Sequence, residues 1–329
     1  VYYLSPSGSD TNNGTSTSTP WKTIARLTQS ISSVQPGDQI LFARGGTFRG
    51  DFTVPNSGSS TSPITVGAYG TGADPIISGS TLVTGWTVYS GSIYKAAVSG
   101  SVKHVFVGGA RQTLARYPNT GWMYNDQGST TTLYDNALTQ ATGYWNGATL
   151  VVRSSNWSYD ARTVSAFTAG TLTCPAMNFN LGAYNWGYFL CNKLNQLDQA
   201  GEWYYDAAAG QLYMWAPGGV DPNTLTVEAA VKDRGITTAY NKQYITIAGL
   251  AFQHQNVAGV YVDGANRVTV SGCTFKDLYH GIRSVTNNST FQGNTFLRTT
   301  ATAIVVYGGT NEVVNNTLTD IALLPGLGE

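Results

Sequence analysis

Four copies of one short phrase recur near the C-terminus: Gly249-Leu250-Ala251-Phe252, Gly272-Cys273-Thr274-Phe275, Gly293-Asn294-Thr295-Phe296 and Asn315-Asn316-Thr317-Leu318. The steps from Leu250 to Cys273 to Asn294 to Asn316 are 23, 21 and 22 residues. A second column runs in phase with the first: Gly259-Val260, Gly281-Ile282 and Ala303-Ile304. A period in this range, built from short β-rich pieces, marks a solenoid in which each repeat covers its neighbour. Helical repeats do not fit, because each unit holds strand-like runs of only a few residues broken by Gly and Asn. The expected core is a parallel β-helix.

Composition narrows the partners. Lys plus Arg and Asp plus Glu both number 18, so the formal net charge is zero. A nucleic-acid binder would show a basic excess. Only 11% of the residues are charged, while Gly numbers 38, Tyr 20 and Trp 8. A weakly charged, turn-rich β-protein of this kind is expected outside the cell or at its surface. No apolar stretch is long enough to cross a bilayer. Val1-Tyr2-Tyr3-Leu4 already reads as a strand, so the chain is expected to begin after a cleavage site. Cys273 shares a column with Leu250 and should point inward. Cys174 and Cys191 could pair, but two cysteines make no framework.

Along the chain, 1–80 reads as an N-terminal cap and first rungs, 81–240 as an inserted aromatic-rich β-domain, and 241–329 as continuing rungs. Thr19 is the expected N-cap of an amphipathic helix with Pro20 at its first position, running to about Val34. Ile24, Leu27, Ile31 and Val34 recur at helical spacing, and such a helix would cover the open end of the solenoid. Strands are expected at Gln39-Ile40-Leu41-Phe42, Thr47-Phe48-Arg49-Gly50, Ile64-Thr65-Val66 and Ile76-Ile77. The middle stretch holds Trp86, Trp122, Trp145, Trp157, Trp186, Trp203 and Trp215. Alternating runs such as Thr149-Leu150-Val151-Val152-Arg153 and Gln211-Leu212-Tyr213-Met214-Trp215 predict antiparallel structure, a β-sandwich or barrel-like insert. The solenoid is expected to resume at Tyr244-Ile245-Thr246-Ile247. The chain then ends at Leu323-Leu324-Pro325-Gly326-Leu327-Gly328-Glu329 with no visible cap. An uncapped solenoid exposes a strand edge, so we expect either further domains beyond residue 329 or a partner covering that rung.

Tyr3-Leu4-Ser5-Pro6-Ser7-Gly8-Ser9-Asp10, then Pro20-Trp21-Lys22-Thr23-Ile24 and Pro36-Gly37-Asp38, resembles the start of right-handed parallel β-helix proteins of the pectate-lyase-like superfamily. Ala115-Arg116-Tyr117-Pro118-Asn119 and Leu197-Asp198-Gln199-Ala200-Gly201-Glu202-Trp203-Tyr204-Tyr205-Asp206 are similar to the inserted segment of a subset of these. That subset includes bacterial glycoside hydrolases whose β-helix carries an extra β-domain. The resemblance covers essentially the whole chain and implies architecture more than reaction, because the superfamily includes lyases, hydrolases, epimerases and non-catalytic surface proteins. In such hydrolases the catalytic carboxylates sit on later rungs, so part of the active site is expected beyond residue 329.

The repeat register supplies its own candidates. Two positions after Phe252, Phe275, Phe296 and Leu318 come His254, Asp277, Arg298 and Asp320. Equivalent positions of a β-helix stack at about 4.8 Å. Asp277 should therefore lie between His254 and Arg298, with Asp320 beyond. Two readings stand. Asp277 is a nucleophile or base, with His254 as its proton-transfer partner and Arg298 beside it. Alternatively, the column is a charge ladder that pins the register. Lys276, Tyr279, His280 and Arg283 on the same rung are the residue types that contact sugars or neutralise a uronate. Arg116 either lines a groove between insert and solenoid or pairs with an acid at that junction. Trp203, Tyr204 and Tyr205 beside Glu202 and Asp206 suit either a sugar or the insert's own core.

Asn294 and Asn316 are read as a structural ladder. No metal site is assigned. Asp10-Thr11-Asn12-Asn13-Gly14 offers oxygen ligands for Ca²⁺ but lacks the later acid of an EF-hand loop, so a turn is the plainer account. No cofactor is expected. Sequons stand at Asn13, Asn156, Asn287, Asn288 and Asn315. The reading that joins these features is an extracellular carbohydrate-active protein that cleaves glycosidic bonds of a poly- or oligosaccharide, with hydrolysis favoured over elimination. Its substrate would lie along the groove between the solenoid flank and the insert. The alternative is a non-catalytic surface or adhesin module that binds glycans.

Overall fold

The computed structural model describes residues 1–324 and Leu327, and the ending at Pro325, Gly326, Gly328 and Glu329 lies outside the described residues. The chain forms two compact units, Val1–Thr81 with Ala230–Leu323, and Leu82–Ala229.

The first unit is a parallel β-helix of three sheets. Sheet A runs Tyr2–Leu4, Gln39–Ala43, Ile64–Tyr69, Gln243–Ala248, Asn266–Ser271, Thr290–Gln292, Glu312–Val314. Sheet B runs Thr47–Arg49, Ile76–Ser78, Ala251–Gln253, Thr274–Lys276, Thr295–Leu297, Thr317–Thr319. Sheet C runs Phe52–Val54, Arg234–Thr238, Ala258–Asp263, His280–Val285, Ile304–Tyr307. The coil re-enters earlier than expected. Arg234–Thr238 is already a sheet C strand, pairing Ile236 with Phe52 on one side and with Val260 on the other. One rung is therefore made from distant segments, with Ile64–Tyr69 in A, Ile76–Ser78 in B and Arg234–Thr238 in C. Register carries across the interruption, since Ile64 pairs with Ile245 and Ile77 with Phe252.

Both sequence columns have a steric cause. Gly249, Gly272, Gly293 and Asn315 turn the chain from A to B at φ of 62, 58, 62 and 55°. That left-handed conformation is the one Gly and Asn tolerate best. Inside the coil, Phe252 and Phe275 stack at 5.0 Å and Phe275 and Phe296 at 4.8 Å, with rings 8 and 5° from parallel. Each such contact contributes about 0.5–1.5 kcal/mol beyond burial. The rings leave no room on sheet C. A Cβ on Gly235, Gly259 or Gly281 would stand 3.0, 2.7 or 2.3 Å from Phe252, Phe275 or Phe296. On the next rung Ala303 replaces Gly where Leu318 replaces Phe.

Cys273 is 1% exposed and faces inward, as its column requires, and burial pushes its thiol up to about 12. Cys174 and Cys191 are buried and free, so they form no disulfide. The Asn ladder is fully bonded. Cys273 N–H donates to Asn294 Oδ1 at 2.9 Å, while Asn294 Nδ2 donates to Val270 O at 3.0 Å and to Asn316 Oδ1 at 3.0 Å.

The capping helix starts four residues later than expected. It spans Ile24–Ser30 with Thr23, not Thr19, as N-cap, its hydroxyl accepting from Arg26 N–H at 3.1 Å. Pro20 is excluded from the helix because Trp21 bridges Leu4 in extended conformation. Asp10 fixes the start. Its carboxylate accepts from the amides of Lys22 and Thr23, both at 2.9 Å, and from the Thr23 hydroxyl at 2.8 Å. Burial opposes the charge, but these bonds from Thr23 and Lys22 outweigh it and hold the Asp10 carboxyl below its usual range. The Asp10 loop is thus tied to the helix start. The helix buries Ile24 and Leu27, and Ile31 and Val34 continue the apolar seam.

The second unit is built almost entirely of antiparallel sheets. Its main core lies between two of them. Leu133, Phe167 and Leu172 come from the sheet Gln127–Gly128, Thr132–Tyr134, Thr171–Thr173, Ala166–Thr168. Leu150, Val152, Tyr188 and Leu190 come from a sheet containing Gly187–Cys191, Thr149–Arg153 and Tyr159–Thr163. This is the sandwich arrangement expected from alternating strands. A further sheet pairs Glu202–Asp206 with Gln211–Trp215 in antiparallel register.

Candidate functional site

The corner between sheets B and C gathers the polar column of the repeat. His254, Asp277, Arg298 and Asp320 each directly follow a sheet B strand, with φ of 66, 55, 53 and 55°. Non-glycine residues rarely adopt this region, and His and Asp are among those that do so most readily. The corner therefore favours short polar side chains before any chemistry is considered. Backbone bonds join the column: His254 N–H donates to Asp277 O at 3.2 Å, Asp277 N–H to Leu297 O at 3.1 Å and Arg298 N–H to Thr319 O at 3.1 Å.

Asp277 is 4% exposed, and Arg298 grips both of its oxygens, Nε to Oδ1 at 2.8 Å and Nη2 to Oδ2 at 2.6 Å. The bonds to Asp277 push the Arg298 pKa up. His254 is 3% exposed, and its Nδ1 lies 3.3 Å from Ser80 Oγ. Ser80 Oγ also accepts from Arg49 Nη1 at 2.6 Å and lies 2.8 Å from Ser78 Oγ. Arg49, Ser78 and Ser80 were not anticipated from sequence. They belong to the first rungs, whose spacing is irregular, so no column exposed them. The available signal was Ser78-Gly79-Ser80 at the end of the expected strand at Ile76-Ile77.

The other predicted residues are dispersed. Lys276 lies on sheet B between Gln253 and Leu297, partly buried. His280 is 1% exposed with Nδ1 2.7 Å from Thr302 O, so that nitrogen carries the proton. Tyr279 meets its ring edge-on at 4.7 Å. Arg283 faces outward on sheet C and donates to Tyr261 Oη at 3.0 Å, while the Arg234 guanidinium lies 3.6 Å over the Tyr261 ring. Asp320 is exposed.

Arg116 belongs to the second unit. Its guanidinium lies 4.0 Å over the Phe189 ring and donates to Pro118 O at 2.9 Å and Gly121 O at 2.5 Å, and burial pulls its pKa down. Glu202 accepts backbone N–H bonds from Arg116, Asp198 and Gln199 at 3.4, 3.2 and 3.3 Å. Burial outweighs these bonds and pushes its carboxyl up to about 7. It lines a cavity of 420 Å³ together with Arg111, Gln112, Asn119, Gln199 and Pro217. Trp203 is 3% exposed, which places it in the interior of the unit. Among the described residues no three His, Cys, Asp or Glu side chains converge as metal ligands.

Residues 223–323 match the family model described as right handed beta helix region. A solved structure titled glycoside hydrolase superposes on 98% of this chain and 74% of its own, with a TM-score of 0.69 and 15% identity. The first unit has the right-handed parallel β-helix fold. The complex structure of XylC with xylose shares that fold with 98% of this chain and 54% of its own, at a TM-score of 0.64 and 16% identity. Among curated proteins, the lacto-N-biosidase of Bifidobacterium longum subsp. longum is 36% identical over 73 residues. That match covers 21% of this chain and 5% of the relative's length.

Within the β-helix the corner has a definite chemical capacity. The Arg298 guanidinium orients both oxygens of Asp277, and a carboxylate is a group that can act as base or nucleophile. A buried His on the adjacent rung is the residue type that moves a proton.

Proposed function

We propose that this chain is part of a carbohydrate-active protein that cleaves glycosidic bonds, with hydrolysis favoured over elimination. The carrying observation is the stack of His254, Asp277 and Arg298 on successive rungs of a regular flank. Asp277 serves as the carboxylate base or nucleophile, His254 as its proton-transfer partner, and Arg298 holds the carboxylate oriented through both of its oxygens. Lys276, Arg283 and Asp320 contact neighbouring sugar units, because a flank that repeats at about 4.8 Å offers a polymer successive similar contacts. Asp320 stands two rungs from Asp277, about 9.6 Å along the stack, just beyond the roughly 6.5–9.5 Å carboxylate separations of inverting glycosidases. The similarity to a glycoside hydrolase and to the XylC–xylose complex supports the reading through fold, and the short lacto-N-biosidase match supports it through sequence. A location outside the cell or at its surface follows from a polymeric glycan substrate and accords with the low charge content. We propose neither a cofactor nor a metal for this chemistry.

The test is a panel of plant, algal and host glycans, read for new reducing ends and for the absorbance of unsaturated uronates. Hydrolysis raises the first signal alone. Asp277→Asn and His254→Gln, each checked for fold by circular dichroism, should lose at least about 100-fold in kcat/KM if they carry the proton transfers. Unchanged turnover in a folded Asp277→Asn variant sinks the assignment. One observation favours a second reading, a glycan-binding module without turnover: both Asp277 oxygens are already engaged by Arg298. That reading predicts binding without either product signal.

A further inference from the structure

The second unit carries a feature that the β-helix chemistry does not use. Trp157 is 78% exposed at the turn between the strands Thr149–Arg153 and Tyr159–Thr163. Phe179, 38% exposed, stands beside it with ring centroids 5.9 Å apart and planes at 85°. The loops that present the two rings are held from below by a buried acid. Asp160 is 1% exposed, and its Oδ2 accepts the Ser154 hydroxyl at 2.5 Å and the Asn178 amide at 3.0 Å. Its Oδ1 lies 2.6 Å from Arg162 Nη2, and Arg162 Nε donates to Ala176 O at 2.8 Å. Arg153 clamps the turn itself through Ser155 O at 3.2 Å and Asn156 O at 2.7 Å. An exposed Trp leaves its apolar surface in water and gains little packing, yet this one sits on a turn ordered by four side chains.

We propose that Trp157 and Phe179 form a glycan-binding platform on the second unit, taking the C–H face of a pyranose in a polysaccharide chain. This rests on the carbohydrate reading above and adds a second contact point. Three observations support a sugar as the occupant. Between residues 124 and 184 every exposed large apolar side chain is aromatic: Tyr124, Tyr134, Trp157, Tyr159, Phe179 and Tyr184. Two rings with three flanking amides are far fewer than the roughly 20–30 residues a side of a standard protein interface. The rings are flanked by the exposed amides of Asn156, Asn178 and Asn180, which bond hydroxyls from either side. A rigid aromatic in a fixed turn also binds at low entropic cost.

Affinity of the whole protein for soluble and insoluble polysaccharides, with sedimentation in parallel, decides the matter. Trp157→Ala and Phe179→Ala should each weaken polymer binding about tenfold or more. Bound polymer should also shift the Trp emission of the wild type, a shift lost in Trp157→Phe with its smaller chromophore. If the wild type binds or cleaves a glycan and both alanine variants match its affinity, the platform is refuted while the functional reading stands. If Trp157→Ala abolishes self-association instead, the surface joins copies of the chain and the platform is likewise refuted. If the wild type neither binds nor cleaves any glycan, the functional reading falls and the platform with it.

Discussion

The Cβ that Gly281 lacks would stand 2.3 Å from the ring of Phe296. Gly281 lies on sheet C and Phe296 on sheet B, so the two columns of the repeat are halves of one steric fit. Gly281→Ala should destabilise the protein by about 1–3 kcal/mol, the cost of overpacking a close-packed core. Adding Phe296→Leu copies the Ala303 and Leu318 rung and should recover part of that loss. Urea unfolding of the two single variants and the double variant checks it. Additive losses would refute the fit.

Asp277 and Arg298 should respond unequally. Arg298→Met leaves a nearly buried carboxylate without the partner that grips both of its oxygens. That should cost about 2–3 kcal/mol, below the 3–5 typical of a fully buried pair because Arg298 is 37% exposed. Asp277→Asn leaves a guanidinium that reaches water and should cost about 1 kcal/mol. Equal losses in thermal unfolding would contradict this asymmetry.

Asn294 should be the costliest rung of the amide ladder. Asn294→Leu restores the residue type of the Leu250 rung but orphans Cys273 N–H and Val270 O. The expected loss is about 2–3 kcal/mol. Asn316→Leu, on a more open rung, should lose less. Denaturation midpoints of the two variants give the order directly.

Glu202 makes stability depend on pH in an unusual direction. Its carboxyl sits near 7 folded against 4.5 as the reference value. Below about pH 4.5 it is protonated in both states. Between 4.5 and 7 the unfolded chain ionises first, so stability falls as pH rises, and above 7 the effect is constant. Glu202→Gln should flatten that slope. Melting temperatures of wild type and variant should converge toward pH 4 and separate as pH rises to 8, with the wild type the less stable at high pH, and parallel curves would show that Glu202 is not the group responsible.

The strands of sheets A and B were legible because each rung repeats a local pattern: a turn residue, an inward apolar side chain, an outward polar one. The inward Cys273 and the bonded Asn294 and Asn316 followed from the same register. The helix start was not legible. Thr19 and Pro20 form a sound local signal, but Trp21 pairs with Leu4 and Asp10 captures the amides of Lys22 and Thr23. Those contacts reach 12 to 17 residues back, where helical periodicity carries no information. Arg234–Thr238 was hidden for a similar reason. It completes a rung begun at Ile64, far outside any window that shows a period of 21 to 23 residues.

The sequence by itself determined the coil, its rung length, its inward columns and the line of His254, Asp277, Arg298 and Asp320. Each of these depends on alternation and spacing along a continuous stretch of chain. Only the tertiary structure decided that this line is a left-handed corner, that Arg298 takes both oxygens of Asp277, and that Arg49, Ser78 and Ser80 stand with His254. It also decided that burial raises Glu202 and that Asp160 braces an exposed Trp157. These depend on closure of the coil and desolvation of particular atoms, quantities fixed by residues brought together from distant parts of the chain.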